Sequence, residues 1–450
     1  MTGLDRLVAW ALGPDVLRPQ DVPHAVTLVT DTLAAAIGAS VEAEVAGIAR
    51  SATVLGGSPS GTGPSTVWAT GAGTGPATAA FLNGTAGVRL ELDEGNQHAA
   101  NHPCAHTFPA LLAVAEELGS SGTELLLAVA AAYEVAVRVG SAVRLRRSVH
   151  PFGTAMVCGA AAGVARLRGL DQETAVRSVL IAAALVPAST QRAANTGATV
   201  RNAITGLTAQ AGVLAVELAR TGTTADPLAL ETVLGEVLGE SFDPGRLDEG
   251  LGELRYLTTG YLKLHACSRW NHSPIEATEM LLAEHGFTES EVSSVEVATY
   301  DPATRLDGTD AATGFAGKHS IPYSVAARIV LRDNGIDAYT DAAAQDPQLR
   351  SVMQRVRVVE DPALTALAPR VRAARVSVDL LDGRRLTATE EHAAGGPERP
   401  YPREVVDAKH AALLQRVLAE TGAQAVLAWC AGLPDAIDVR GLAAALADRR

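Results

Sequence analysis

The chain has 450 residues, of which 47% are hydrophobic and only 4% aromatic, and its formal net charge is −13. This length accommodates two or three domains, or one large and one small, and the apolar fraction is sufficient for a substantial core. The acidic balance argues against nucleic acid binding, because contact with phosphates requires a basic face. It does not exclude a small anionic substrate, which senses only the charges of its pocket.

The apolar stretches predict a cytoplasmic protein without a membrane segment. Charged residues interrupt the short apolar stretch in "MTGLDRLVAWALGPDVLRP", so the N-terminus does not resemble a secretion signal. The run that comes closest to a membrane helix, residues 125–140, contains Glu134 and Arg138. The cysteines form no CxxC pair, which predicts neither a thiolate metal cage nor a disulfide framework; they are Cys104, Cys158, Cys267 and Cys430.

The first 260 residues show the apolar spacing of successive helices. "PALLAVAEELG" predicts a helix with Pro109 in its first turn and its end at Gly119. "DQETAVRSVLIAAALVP" predicts a helix with Asp171 as its N-cap that ends before Pro187. The Gly/Ser/Thr-rich residues 56–76 lack a phosphate-loop motif and predict a surface connection around a short strand in "STVWA".

After about residue 285 the apolar period changes from that of helices to that of strands. "VSSVEVATYD" and "QRVRVVED" alternate as half-buried strands do, and "RVSVDLLDGRRLTATEE" predicts a hairpin around Asp382-Gly383. "SIPYSVAARIVLRDNG" predicts a helix with Pro322 near its start, and the C-terminal residues return to helix. We therefore predict a mainly α fold with an α+β component. A large helical domain, residues 1–262 and 403–450, would contain a smaller inserted α/β domain, residues 263–402.

Residues 96–106, "NQHAANHPCAH", space three histidines four residues apart, directly after the acidic "ELDEG". A continuous helix would align His98, His102 and His106 on one face, as a zinc site requires. Pro103 disfavours helical backbone at His102, so this argument for zinc fails and we predict no metal. A polar loop and an acid/base site remain as alternatives.

Three further stretches favour the acid/base site. His150 precedes a small-residue helix at whose start the N–H groups of Gly153 and Thr154 could face an anion. Two other segments gather imidazoles, cations and a phenol: Lys263, His265, Arg269 and His272, and then Lys318, His319 and Tyr323. Such groups suit removal of a proton alpha to one carboxylate while cations bind the other carboxylates.

Five stretches also resemble the MmgE/PrpD family, typified by 2-methylcitrate dehydratase. They are "ELDEGNQHAANHPCAHTFPALLAVAEELG", "AAYEVAVRVG", "HPFGTAMVCGAAAGVARLRGLDQETAVRSVLIAAAL", "LKLHACSRWNHSPIEA" and "KHSIPYSVAARIVL". The resemblance implies a large helical domain with a smaller α/β domain, a homodimer, and chemistry on a small anionic polycarboxylate without metal or organic cofactor. Known members include dehydratases, a decarboxylase of cis-aconitate and an epimerase of iminodisuccinate.

Carried over by position, the resemblance implies site residues from distant parts of the chain. It implies catalytic roles for His102, His150, Tyr323 and Lys263. It implies substrate binding by Glu91, Asp93, Arg201, Ser268 and Arg269. Arg201 replaces the lysine usual in the family, which keeps the charge but excludes a titratable amine there. Ser268 stands where the decarboxylase has a histidine, which weakens a decarboxylase interpretation.

The resulting hypothesis is a cofactor-independent lyase, in the simplest case a dehydratase. Either His102 or His150 would take the proton, and Tyr323 or the other histidine would protonate the leaving hydroxyl. An epimerase or isomerase, a decarboxylase of a related acid, and a non-catalytic binding protein are the alternatives.

Overall fold

The computed structural model describes residues 1–51, 54–56 and 61–450. Its fold is mainly helical with a smaller α/β component, as the periodicities predict. The helices of the first half are α1 Gly3–Leu12, α2 Val22–Gly38, α3 Ala43–Arg50, α4 Pro76–Gly87, α5 Pro103–Leu118, α6 Gly122–Ala142, α7 Met156–Leu167, α8 Gln172–Ala184, α9 Gln191–Asn195 and α10 Val200–Arg220. A π-helical segment, Leu230–Val237, follows them. The remaining helices are α11 His272–His285, α12 Gly314–Gly317, α13 Ile321–Val330, α14 Asp341–Ala344, α15 Pro347–Met353, α16 Pro362–Thr365, α17 Arg403–Leu414, α18 Glu420–Ala431 and α19 Leu442–Ala445.

The strands before residue 262 are two to four residues long and form two-stranded sheets. They are β1 Ser65–Thr66, β2 Gly73–Thr74, β3 Gly95–Asn96, β4 Val143–Leu145, β5 Val149–His150, β6 Ser189–Thr190, β7 Gly239–Phe242 and β8 Gly260–Tyr261. The longer strands are β9 Val292–Thr299, β10 Val356–Glu360, β11 Ala374–Leu380 and β12 Arg385–Glu390. We refer to α1–α10 with α17–α19 as the helical part, and to β9–β12 with α11–α16 as the α/β part.

The α/β part is built on a four-stranded sheet in the order β10-β9-β11-β12. The first pair is parallel and the other two are antiparallel. The predicted hairpin is present: Asp379 pairs with Arg385, and Gly383 in the turn has a φ of +93° that glycine adopts without strain. The valines that alternate along β9 and β11 are buried, which explains why this segment has the period of a strand.

The helical part is closely packed because small residues lie where helices cross. A Cβ atom on Gly206 of α10 would lie 2.2 Å from the carbonyl oxygen of Phe81 in α4. The chain returns to this part at its end. Lys409 and His410 of α17 place Nζ and Nε2 at 2.5 Å and 3.0 Å from Asp31 Oδ1 in α2. These buried contacts with Asp31 thus fix α17 to α2.

The predicted start of one helix is wrong. Helix α5 begins at Pro103, where a missing N–H costs nothing because the first turn has no acceptor for it. Pro109, predicted in the first turn, instead lies inside the helix.

Two helical stretches, Pro19–Val41 and Gly122–Ala142, are long and apolar enough to cross a membrane by length and composition, but 72% and 83% of their most apolar windows are buried in this fold.

The Gly/Ser/Thr-rich connection is described in part. Residues 57–60 lie outside the described residues, and the predicted strand in "STVWA" is limited to β1, which pairs with β2. The four cysteines are free and buried.

Candidate active site

The acidic segment that precedes the histidines is held in place by two buried lysines from distant parts of the chain. Lys318 donates from Nζ to the carbonyl oxygens of Leu90 at 3.0 Å and Ala266 at 2.7 Å. Lys409 donates to the carbonyl of Leu92 at 2.7 Å. Glu91 between them has a φ of +57°, a left-handed conformation that is costly for a residue with a side chain. The fold thus fixes the direction of the side chains in this segment.

Two carboxylates and two cations form a buried cluster behind these backbone contacts. Lys263 Nζ lies 3.2 Å from Asp93 Oδ1 and 3.5 Å from Glu91 Oε2. Arg201 pairs through Nη1 with Glu91 Oε1. Burial raises the pKa of Glu91, but the charges of Arg201 and Lys263 outweigh it and hold that pKa well below its usual range. Burial likewise lowers the pKa of Lys263, but Asp93 and Glu91 outweigh it and raise that pKa. These two groups therefore remain ionised.

His102 is oriented by two acceptors on one ring nitrogen. Nδ1 lies 2.7 Å from the carbonyl oxygen of Glu94 and 2.6 Å from Asp93 Oδ2. The carbonyl contact has hydrogen-bond geometry, whereas the carboxylate lies close to Nδ1 without an aligned hydrogen bond. Because both partners only accept, Nδ1 must carry the proton, and in neutral His102 the lone pair is on Nε2. Burial raises the pKa of Asp93, but His102 and Lys263 outweigh it and lower that pKa to about 2.

His150 has the opposite tautomer. The backbone N–H of Phe152 donates to Nδ1 of His150 at 3.2 Å, so the ring proton is on Nε2. Burial and the charge of Arg201 lower the pKa of His150 well below its usual range, which keeps the ring neutral. The rings of His102 and His150 both pack against Phe152, with centroid distances of 5.1 Å and 4.7 Å. One histidine therefore presents a lone pair and its neighbour an N–H.

These two rings line a cavity of about 40 Å³, which we call the inner cavity. The predicted site residues in its wall are Glu91, His102, His150, Arg201, Ser268 and Arg269. The Arg201 guanidinium stacks on Phe152, with 3.8 Å from its central carbon to the ring centroid. Its Nε is buried without a partner among the described residues. The site therefore offers a base, a neutral donor and a cation together.

A second cavity of about 690 Å³, which we call the outer cavity, adjoins the inner one. The two share the residues Ala100, Pro151, Trp270 and Arg372. Its other walls come from both parts of the fold, with β4 and β5 on one side and residues 300–305 and 365–369 on the other. The inner cavity is thus open to the outer cavity, which lies between the helical and α/β parts.

Four predicted site residues do not have the predicted access: Asp93, Lys263, Arg269 and Tyr323. Asp93 is fully buried between His102 and Lys263 and lines neither cavity. The Tyr323 hydroxyl donates to the carbonyl of Ala338 at 2.8 Å, and its ring stacks on Tyr339 away from both cavities. Lys263 is fully buried in the charge cluster and lines neither cavity. Arg269 lines the inner cavity, but both of its Nη atoms donate to backbone carbonyls, those of Ala393 and Ala394. The structure does not support proton transfer by Tyr323 or substrate contact by Lys263.

The three spaced histidines separate as Pro103 predicts. His98 lines the outer cavity and His102 the inner one. His106 lies inside α5, where burial lowers its pKa to about 3. The predicted anion contact near His150 is also altered, because the N–H of Thr154 donates to the carbonyl of Pro151 within the turn.

Two polar residues of the inner cavity wall, Gln191 and Arg372, were not predicted, and His319, which the sequence places in one segment with Lys318 and Tyr323, also lines this cavity. His319 directs Nδ1 to the carbonyl of Phe315 at 3.2 Å, and its Nε2 lies 3.9 Å from Glu91 Oε1. The stretch "GKHSIPYSVAA" contains both His319 and Tyr323, and both are buried, but only His319 lines the inner cavity. Nothing in the sequence around Gln191 or Arg372 distinguishes them from exposed polar residues.

By distance, one group of described residues could hold a metal ion: His265, His272 and Glu276. The Nη1 of Arg269 lies 3.2 Å from His272 Nδ1, and Glu276 accepts from Arg399 at 3.1 Å. The adjacent guanidinium opposes a second cation, and its donation to Nδ1 leaves the other nitrogen of His272 protonated. This group fits a polar network better than a metal centre.

Comparison with protein families gives matches over most of the chain. A model described as the MmgE/PrpD N-terminal domain matches residues 7–238, and one described as the MmgE/PrpD C-terminal domain matches residues 265–433.

Among curated proteins, the chain is similar to a cis-aconitate decarboxylase of Aspergillus terreus. The two are 25% identical over 400 residues, which cover 82% of this chain and 80% of the relative. It is also similar to a cis-aconitate decarboxylase-like protein, oryM, of Aspergillus oryzae. That identity is 26% over 338 residues, which cover 69% of this chain and 70% of the relative.

Proposed function

The chain belongs to the MmgE/PrpD family, and from this premise we propose that it is a lyase acting on a small di- or tricarboxylate, in the simplest case a dehydratase. The observation that carries the proposal is the pair of opposite tautomers at the inner cavity. His102 offers the lone pair of Nε2, whereas His150 offers an N–H. A base beside a neutral donor suits removal of a proton alpha to a carboxylate.

In this proposal His102 is the base. Its Nε2 takes the alpha proton, the C–H electron pair becomes the new carbon–carbon double bond, and the carbon–oxygen bond to the hydroxyl breaks. The proton on His102 then leaves with the hydroxyl as water, so that both histidines return to their starting state. Asp93, whose low pKa keeps it ionised, stabilises the imidazolium in between.

His150 and Arg201 stabilise the charge that develops during this step. The negative charge moves onto the carboxylate next to the reacting carbon, and a donor already aimed at that oxygen costs no reorganisation. A neutral imidazole is suitable as this donor because it gives a hydrogen bond without competing for the proton. Lys263 does not contact the substrate in this proposal; it keeps Asp93 and Glu91 ionised and in place.

The test is product analysis by NMR in D2O with citrate, 2-methylcitrate and cis-aconitate. We expect loss of water from a hydroxy acid, or its addition to an alkene. His102→Gln should abolish both water loss and exchange of the alpha proton. His150→Gln should slow turnover by about 10²–10³-fold, the usual cost of one donor to a developing oxyanion. Unchanged turnover in both variants would contradict the proposal.

Decarboxylation is the second candidate, because the two relatives described above are a cis-aconitate decarboxylase and a decarboxylase-like protein. Ser268 lines the inner cavity, at a position where the family resemblance implies a histidine in the decarboxylase, and this difference favours dehydration. The same NMR experiment separates the candidates: decarboxylation releases CO2, and epimerisation exchanges the alpha proton without loss of water or CO2.

A further inference from the structure

The inner cavity is too small to contain a polycarboxylate by itself. Its volume is about 40 Å³, whereas a single water needs roughly 10–15 Å³ of such space and benzene occupies a cavity of about 150 Å³. A six-carbon acid is larger than benzene. A substrate bound at His102 and His150 must therefore extend across Trp270 and Arg372 into the outer cavity.

The outer cavity has the size and the walls of a site for an organic group. Its volume of about 690 Å³ is within the range of small-molecule sites, roughly 300–1,000 Å³. Beyond the junction its walls are largely apolar, with Val143, Leu145 and Val149 on one side and Pro302 and Pro369 on the other. A substrate that consisted of carboxylates alone would leave this apolar wall in contact with water.

The cations of the outer cavity are distributed unevenly. Arg144 and Arg147 are paired with Glu240 and Asp301. Arg372 at the junction donates to the carbonyl of Gln97 at 2.8 Å, and it has no carboxylate partner among the described residues. Arg305, which also lines the outer cavity, has no ion-pair partner among the described residues, and its Nε is buried without a hydrogen-bond partner. Positive charge available to a ligand is therefore found at Arg305 and at Arg372, in a cavity whose remaining walls are largely apolar.

We propose that the natural substrate is a polycarboxylate with an apolar substituent longer than methyl, which the outer cavity binds. This inference rests on the proposed function. The carboxylate head lies at the inner cavity and at Arg372, and the substituent contacts Leu145, Val143 and Pro369.

The experiment measures kcat/KM for a series of 2-alkylcitrates, from citrate and 2-methylcitrate to the butyl and hexyl homologues. Each methylene that leaves water for an apolar wall should raise kcat/KM by about four-fold. The increase should continue to hexyl, because the outer cavity is large enough to receive the whole chain.

A variant that narrows the outer cavity separates this site from the catalytic groups. Leu145 lines the outer cavity and not the inner one. Leu145→Trp should lower kcat/KM for hexylcitrate at least ten-fold more than it lowers kcat/KM for citrate. The matched control is Leu381→Trp, at a hairpin turn where Leu381 is 70% exposed. Equal urea midpoints for both variants and the wild type establish that each is folded.

The outcomes distinguish the inference from the proposed function. Turnover that rises with chain length and is lost selectively in Leu145→Trp supports the inference. Turnover of citrate and 2-methylcitrate that falls for butyl and hexyl overturns it and leaves the lyase proposal intact. If no member of the series is turned over, the lyase proposal fails and this inference fails with it.

Discussion

The contact between Asp93 and His102 determines which nitrogen of the histidine can act as a base. Asp93 Oδ2 lies 2.6 Å from Nδ1, and the Glu94 carbonyl lies 2.7 Å from the same atom. Asp93→Asn keeps the shape of the side chain but removes the negative charge that would stabilise the imidazolium of His102. It also allows an amide N–H to donate to Nδ1, which would move the ring proton to Nε2.

We expect Asp93→Asn to lower kcat on the hydroxy acid on the order of 10⁴-fold, as the same change does in a comparable Asp–His pair. Steady-state kinetics with the substrate identified above measures this directly. The matched control is Glu116→Gln, another buried carboxylate, which accepts from the Thr66 backbone and hydroxyl at 2.7 Å and lines neither cavity. A kcat for Asp93→Asn within five-fold of the wild type would contradict the role of Asp93.

At this scale the sequence indicates the type of chemistry but not the division of roles. Imidazoles next to acidic residues predict an acid/base site, and both histidines do line one cavity. Which one is the base depends on a backbone N–H at Phe152 and a carbonyl at Glu94. Backbone groups are the same in every sequence, so their positions follow only from the fold.

At the scale of elements, Glu94 couples the acidic segment to the start of helix α5. Its Oε1 accepts from the N–H groups of Cys104 at 2.7 Å and Ala105 at 3.3 Å. Burial and the charge of Asp93 raise the pKa of Glu94 to about 8. The folded protein therefore retains a proton that the unfolded chain releases near pH 4.5.

This raised pKa predicts a loss of stability with rising pH. Below about pH 4.5 both states hold the proton and the contribution of Glu94 is fully present. Between about 4.5 and 8 the folded state binds more protons than the unfolded state, so the free energy of unfolding falls as pH rises.

Glu94→Gln retains an acceptor for the helix start and does not titrate, so the variant should lose less stability than the wild type between pH 5 and pH 8. Urea unfolding at both pH values measures this, and all other ionisable groups cancel in the difference. A wild type that is less sensitive to pH than the variant would contradict the assignment.

The close crossing of α4 and α10 positions Arg201, which lies in the first turn of α10. A Cβ on Gly206 would meet the Phe81 carbonyl at 2.2 Å and Thr85 Oγ1 at 2.3 Å. Gly206→Ala must therefore separate the two helices, at a cost of about 1–3 kcal/mol in the free energy of unfolding. We also expect kcat/KM to fall, because Arg201 moves with its helix.

The control for this prediction is Gly75→Ala, at the N-cap of α4, where an added Cβ would meet nothing within 4 Å. Its cost should stay below about 1 kcal/mol, the usual difference between glycine and alanine at an N-cap. Chemical denaturation and steady-state kinetics of the two variants provide the comparison. Equal stabilities would mean that the crossing can relax without cost.

Helices and strands were predictable where one local period dominates. The hairpin of β11 and β12 and the N-cap at Asp171 follow from residues adjacent in sequence. The start of α5 could not be predicted in this way, because Pro103 and Pro109 both suit a first turn. The choice between them depends on Glu94, which is ten residues before Cys104 and accepts a hydrogen bond from its N–H.

At the scale of the whole molecule, the site lies where the helical and α/β parts meet. Arg372 precedes β11, and its contribution to the inner cavity depends on how the two parts are packed. The return of α17 to α2, and the contact of Lys409 with the Leu92 carbonyl, depend on the same packing. Local sequence patterns contain no information on these distances, which explains why the cavities could not be predicted.

The buried cysteines report whether the two parts unfold together. Cys104, Cys158 and Cys430 lie in the helical part and Cys267 beside the α/β part, yet all four belong to one continuous apolar core. Burial raises the pKa of Cys158 and Cys430 to about 12 and that of Cys267 to about 11. The reactive thiolate is therefore scarce in the folded protein at pH 8.

Because the core is continuous, we expect the chain to open in one cooperative step. At pH 8 an alkylating reagent should label none of the four thiols appreciably without denaturant, and all four over the same range of urea concentration. Mass spectrometry of the labelled peptides gives the midpoint for each cysteine. The same peptides labelled in full denaturant provide the control for intrinsic reactivity. A lower midpoint for Cys267 than for the other three would show that the α/β part opens first and would contradict a single step.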